Sequence, residues 1–317
     1  MGRVEPAEWD WRDLGRRNDA MQTQSIAAKT GMGTVELAVT DADRALRFYR
    51  DYVGLRPLPS DGPELRLGAA GRELVVLQPG VEHPVMPRTS GLYHLAIVVP
   101  DRRELARVIG RLAGLRWEQY PTDHVMTKAN YLWDPDGNGI EIYTESPEDG
   151  TMGFANGTFV AYDKEGNPRS GRDPIDLEEL FSHLGEEDRT EEGLVQPMPS
   201  GTKMGHVHLH VADVGAALRF YHDLVGFDVM GHVPGTGFVS AGGYHHHLGL
   251  NEWAGRGARP APPGHAGLRR FTVELPTRRD LENVTSRLEH GDVRVVEEGD
   301  GFAAVDPSAN RVLFRAA

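Results

Sequence analysis

The chain has 317 residues, 47 acidic and 34 basic side chains, a net charge of −13 and no cysteine. That balance argues against nucleic acid or an anionic membrane surface as a partner, and without thiols a metal has only His, Asp or Glu to sit on. The length suits about two domains, the charged N-terminus lacks the apolar run of a signal peptide, and no stretch approaches the ~18 apolar residues of a membrane span, so the expectation is a soluble cytoplasmic protein.

Residues 1–31 show little periodicity and read as an N-terminal arm. "GTVELAVTDA" (33–42) then alternates Val35, Leu37 and Val39, which predicts a strand. Asp41 caps the following helix, where "ALRFY" places apolar residues at helical spacing. Short strands broken by Gly and Pro follow in "ELRLGAAGRELVVLQPG" (64–80). A second strand and helix come with "GLYHLAIVVPD" (91–101) and "PDRRELARVIGRL" (100–112). "DPDGNG" (134–139) reads as a turn before a closing strand, with Gly137 and Gly139 supplying permissive backbone. Residues 148–203, rich in Gly, Asp and Glu, form a linker with one helix at "PIDLEELFSHL" (174–184). The plan then restarts at "GHVHLHVADV" (205–214), and "AGRGARPAPPGHAG" (254–267) reads as an ordered loop or rim.

The restart is a repeat. "DADRALRFYRDYVGL" (41–55) returns as "DVGAALRFYHDLVGF" (213–227), 172 positions on, and "DPDGNGIEI" (134–142) returns as "DPSANRVLF" (306–314). "GLYHLAIVVPD" is answered by "GLRRFTVELPT" (267–277). Module 1 spans 32–147 and module 2 spans 204–317, and each splits into two halves of similar plan. The fold class is α+β, four βαβββ units in two tandem modules, numbered here one to four along the chain.

These paired units, with "GHV…D…ALRFY…VGF", "GLYH" and "DPDGNGIEIY", resemble the vicinal oxygen chelate superfamily, which includes glyoxalase I, extradiol dioxygenases and bleomycin-resistance proteins. "GLYHLAIVVPDRRELA", "DPDGNGIEIYTE" and "SAGGYHHHLGLNEWAGRGA" are most similar to two-module bacterial catechol 2,3-dioxygenases. The resemblance implies half-open barrels whose concave faces hold a divalent metal. One ligand comes from the first strand of one unit, and two come from the first and last strands of its partner.

The matching first-strand positions are Thr34, His94, His206 and Arg270, and the matching last-strand positions are Glu141 and Leu313. Folding each module on itself leaves both ligand sets incomplete. Pairing units two and three gathers His94, Glu141 and His206, while units one and four gather Thr34, Arg270 and Leu313. The expectation is therefore one working cup between the modules and one retired cup, which explains why only one copy of the duplicated strand keeps its histidines. Two imidazoles and a carboxylate leave three octahedral positions open, the pattern of non-haem Fe(II) oxygenases, although Mn(II) suits the same ligands.

His208 and His210 share the strand face of His206 and either line the pocket or serve a partner of the ligands. "GGYHHHLGLN" (242–251) reads as the last strand of unit three. The extradiol resemblance implies an acid–base histidine there, and counting back from Leu250 selects His246, with His245 and His247 on the opposite face. It also implies substrate-side roles for Tyr131, ten residues before Glu141, and for His124. Phe238, Trp133 and Trp253 could supply an aromatic wall.

The reading that follows is an Fe(II)-dependent extradiol dioxygenase acting on a small aromatic diol and O2, with a homo-oligomer possible. Two alternatives remain. One is a glyoxalase-type lyase or isomerase, for which the strand at 245–247 lacks the expected acid. The other is a non-enzymatic binding protein of the resistance type, which needs no metal triad.

Overall fold

The computed structural model describes residues 25–155 and 157–317; most of the arm expected at 1–31 lies outside the described residues. Unit one comprises β1 (Gly31–Val39), α1 (Ala42–Arg47) continuing into a π-helical turn (Phe48–Val53), β2 (Arg56–Leu58), β3 (Leu65–Ala69) and β4 (Arg72–Pro79). Unit two comprises β5 (Gly91–Val98), α2 (Arg102–Gly114), β6 (Tyr120–Asp123), β7 (Thr127–Trp133) and β8 (Gly139–Glu145). Between the modules lie β9 (Gly150–Ala155), β10 (Thr158–Asp163), β11 (Asp173–Pro174), α3 (Leu177–Ser182) and α4 (Glu191–Leu194). Unit three comprises β12 (Lys203–His210), α5 (Val214–Leu218) with its π-helical turn (Arg219–Leu224), β13 (Asp228–Val233), β14 (Thr236–Ser240) and β15 (Leu248–Asn251). Unit four comprises β16 (Gly267–Leu275), α6 (Arg278–His290), β17 (Val296–Glu298), β18 (Gly301–Val305) and β19 (Arg311–Ala316).

Capping residues start the helices. Asp41 and Asp213 accept the backbone N–H of Arg44 at 2.9 Å and of Ala216 at 2.7 Å, and Asp101 does the same for Glu104 at 2.9 Å. The repeated "DP" turns are built on their aspartates. Asp134 accepts the N–H groups of Asp136 and Asn138 and the hydroxyl of Tyr49, while Asp306 accepts those of Ser308 and Asn310 and the hydroxyl of Tyr221. Each turn thus ties an even-numbered unit to the helix of an odd-numbered one. Gly139 is required where the turn enters β8, because a Cβ there would lie 2.0 Å from the carbonyl oxygen of Tyr93.

The units pair across modules. β12 runs antiparallel to β5, so units two and three share one sheet in the order β11-β6-β7-β8-β5-β12-β15-β14-β13. β16 runs antiparallel to β1, so units one and four share the other, in the order β17-β18-β19-β16-β1-β4-β3-β2. Both are curved, open sheets. Alternation along the central strands divides two environments. Leu95 and Ile97, Val207 and Leu209 enter the apolar core, whereas His94, His206 and His208 take the intervening positions.

The inter-module segment departs from a linker with one helix. It contains a β9–β10 hairpin, an edge strand β11 on β6, and two short helices. The hairpin escaped a reading by periodicity because "GTMGFA" and "TFVAYD" mix small, polar and aromatic residues without a clean alternation.

Candidate metal centre

His94 on β5, Glu141 on β8 and His206 on β12 meet on the concave face of the second-and-third-unit sheet. The Nε2 atoms of His94 and His206 each lie 3.0 Å from Glu141 Oε2 and 3.3 Å from one another. All three side chains are buried. Ligands about 2.1 Å from an octahedral ion sit roughly 3 Å apart along a cis edge. The triangle therefore has the dimensions of one octahedral face, and its donor set suits a borderline divalent cation. Hydrogen bonding alone satisfies it poorly, since one carboxylate oxygen serves both imidazoles and the buried His206 Nδ1 has no partner among the described residues.

The charge states are ready for ligation. Burial opposes ionisation of Glu141, but the flanking imidazoles outweigh it and hold the carboxyl well below its ordinary value. Burial pushes His94 down, towards the neutral imidazole a metal needs. Gly205, just before His206, gives the site its close packing: a Cβ would lie 2.0 Å from the hydroxyl of Tyr143. That hydroxyl lies 2.5 Å from Tyr244 Oη, which donates to Glu145 at 2.5 Å. Tyr143, Tyr244 and Glu145 escaped sequence reasoning because a strand tyrosine, a loop tyrosine and a half-buried glutamate carry no positional signature.

Above the triangle opens a cavity of about 430 Å³, within the range of small-molecule sites. Phe238, Trp253 and Tyr93 form part of its wall; Trp133 stays exposed and does not reach it. Met152, Phe154 and Phe159 of the inter-module hairpin close another side, so the segment read as a linker is a wall of the site. A larger cavity of about 530 Å³ lies between the loops at 85–92 and 260–269 and contains none of the triad.

His124 and Tyr131 are hydrogen-bonded at 2.8 Å, and His124 Nδ1 lies 2.6 Å from the carbonyl oxygen of Gly171. A carbonyl only accepts, so Nδ1 carries the proton and Nε2 accepts the Tyr131 hydroxyl. Burial raises the Tyr131 phenol well above its ordinary value, and Glu141, its cross-strand neighbour, adds to this. Tyr131 therefore stays protonated.

The histidine run corrects the expected strand. Gly242 and Gly243 both take positive φ, 62° and 76°, and β15 begins only at Leu248. Residues 244–247 therefore do not alternate as a strand would. His247 turns away and accepts Ser240 Oγ at 2.8 Å, whereas His245 and His246 both line the cavity, not His246 alone. The His246 ring lies 4.1 Å from that of His206, centroid to centroid. Burial pushes His246 well below the ordinary imidazole value and His245 down to about 3, so both are neutral at neutral pH. His208 is also buried in the wall, its ring 5.0 Å from that of His94, in space left by Gly249. His210 is held by Asn251 at 2.7 Å and does not reach this cavity.

Among the described residues, the opposite sheet has no such site. Arg270 donates to Glu36 at 2.6 Å and also pairs with Glu298, Thr34 donates to Glu73 at 3.1 Å, and Leu313 is buried. Ion pairs and packing occupy the positions that would hold ligands.

With this geometry in view, comparison with known proteins places the chain. Residues 31–142 and 203–310 match the model of the Glyoxalase/Bleomycin resistance protein/Dioxygenase superfamily. The chain belongs to that superfamily. It is 38% identical over 288 residues to a catechol-2,3-dioxygenase of Bacillus subtilis (strain 168), covering 89% of this chain and 96% of the relative. A solved structure from Bacillus subtilis subsp. subtilis str. 168 shares the fold at a TM-score of 0.60 and 14% identity, covering 92% of this chain and 86% of that one. Glyoxalase I from Zea mays shares it at a TM-score of 0.53 and 15% identity, covering 90% of this chain and 92% of that one. Superfamily members bind a divalent metal, and the His94–Glu141–His206 triangle is a site fit for one. No helix among the described residues is long and apolar enough to cross a membrane.

Proposed function

We propose that this chain is an Fe(II)-dependent extradiol dioxygenase that cleaves a catechol-type ring with O2. The observation that carries the proposal is the buried His94–Glu141–His206 triangle facing a cavity lined by aromatic rings and by His245 and His246, which burial keeps neutral. The 38% identity to a protein named catechol-2,3-dioxygenase supports it. Bound Fe(II) would supply three open positions, for a vicinal diol and O2, and would acidify the chelated hydroxyl; Mn(II) suits the same ligands.

The remaining chemistry belongs to side chains. His246, neutral and at the cavity wall, accepts the proton of the second substrate hydroxyl and returns it later. Tyr131, kept protonated and oriented by donating its hydroxyl to His124, presents its oxygen to accept a hydrogen bond from a substrate hydroxyl. Phe154, Phe159 and Phe238 exclude water and stack on the ring. The roles of His246, Tyr131 and His124 rest on their placement around the triangle.

Among the described residues Glu141 is the sole carboxylate lining the cavity. A glyoxalase-type isomerase would draw on a second acid, so the dioxygenase reading is preferred. A purely ligand-binding protein has no use for three buried, mutually close metal donors. Anaerobic loading with Fe(II), followed by catechol and O2, should give a yellow ring-cleavage product. Tight iron binding without ring cleavage of any catechol would refute the proposed reaction.

A further inference from the structure

The inter-module segment places a charge at the site. Gly171 holds the ring of His124 through its carbonyl at 2.6 Å, so the residue that follows is anchored at the rim of the cavity. Arg172 accordingly lines the cavity, with its backbone N–H donating to Ser170 Oγ at 3.0 Å. Its neighbour Arg169 is neutralised by Asp173 at 3.0 Å. The Arg172 guanidinium, by contrast, has no carboxylate within 4.0 Å and no hydrogen-bond acceptor among the described residues. It is exposed and is the sole Arg or Lys among the cavity's described lining residues. Burial raises the phenols of Tyr93 and Tyr131, and the Arg172 charge acts against that rise in both, which is consistent with its facing the same space.

An unpaired guanidinium at the mouth of an aromatic cavity needs an explanation in a chain of net charge −13. The overall field repels anions, and an acidic partner would be easy to place. A fork of donors left open matches a carboxylate with two parallel hydrogen bonds. The cavity, about 430 Å³, is also larger than one bare diol ring requires. We propose that Arg172 is a specificity-determining residue that selects dihydroxybenzenes bearing a carboxylate substituent. This inference rests on the proposed dioxygenase reading and names its substrate class: the diol faces the His94–Glu141–His206 triangle and the substituent points to the rim, towards Arg172.

The test is anaerobic calorimetry on the Fe(II)-loaded full chain with two carboxylated probes, 3,4-dihydroxybenzoate and 3,4-dihydroxyphenylacetate, and two neutral ones, catechol and 4-methylcatechol. Wild-type protein should bind the better carboxylated probe about tenfold more tightly than the neutral ones. Arg172→Gln should erase that preference while leaving neutral diols within about twofold, Arg172→Lys should restore part of it, and Arg172→Glu should invert it. Equal affinity of wild type for all four probes, or an equal loss for all four in Arg172→Gln, would overturn the assignment while leaving the dioxygenase reading intact. Failure of every diol to bind the iron-loaded chain would overturn both.

Discussion

His94 and His206 stand 112 positions apart in the chain, yet their Nε2 atoms lie 3.3 Å apart across the β5–β12 ladder. Because Glu141 reaches both, one ion per chain is expected after reconstitution. His206→Ala should lower metal affinity by an order of magnitude or more while circular dichroism stays native, since losing a ligand opens no large apolar cavity. Thr34→Ala and Leu313→Ala, in the opposite sheet, should leave metal content unchanged. Two equivalents bound by wild type would contradict a single centre.

The same crossing predicts how fragments behave. Module 1 alone has His94 and Glu141, and module 2 alone has His206. Neither fragment should hold iron tightly, and co-expression of the two should restore one equivalent. Iron retained by module 1 alone, measured by atomic absorption after gel filtration, would argue that the centre does not need β12.

Both His245 and His246 line the cavity, so their separation is experimental. His246→Ala should keep its metal and slow turnover about 10²-fold or more, as for loss of an acid–base group. His245, 3.7 Å from Glu145, should tolerate alanine with a smaller effect. The opposite order of effects on kcat would transfer the proton-moving role to His245.

A structural prediction concerns Arg111 on α2. Its buried guanidinium donates to the carbonyl oxygens of Tyr52, Val53, Leu194 and Gln196, joining unit one, unit two and the inter-module segment. Arg111→Met fills similar volume but removes the guanidinium donors from the Tyr52, Val53 and Leu194 carbonyls, while Gln196 keeps Arg107 at 2.9 Å, at a cost of about 2–4 kcal/mol. Among the described residues, Arg287, its counterpart on α6, serves only Leu224 and Val225, so Arg287→Met should cost less. Urea denaturation of both variants checks the ranking, and metal stoichiometry should be unaffected in either.

What the sequence determined by itself is local chemistry and its repetition. The spacing of Val35, Leu37 and Val39, the capping Asp41 and Asp213, and the paired "DP" turns dictate βαβββ units, because strand alternation, helix caps and turn geometry depend on residues a few positions apart. At the ligand positions that the superfamily resemblance implies, comparing the copies separated His94, Glu141 and His206, which can assemble a donor set, from Thr34, Arg270 and Leu313, which cannot. Only tertiary structure decided which strands meet: the β5–β12 and β1–β16 ladders are long-range backbone hydrogen bonding, which patterns a few positions long do not encode. It likewise decided that His245 joins His246 in the cavity. Alternation of faces holds inside a ladder, and the left-handed Gly242 and Gly243 end the ladder's authority before that point. The placement of Phe154, Phe159 and Arg172 over the centre was illegible for a related reason: an irregular segment takes its course from what it packs against, not from any period of its own.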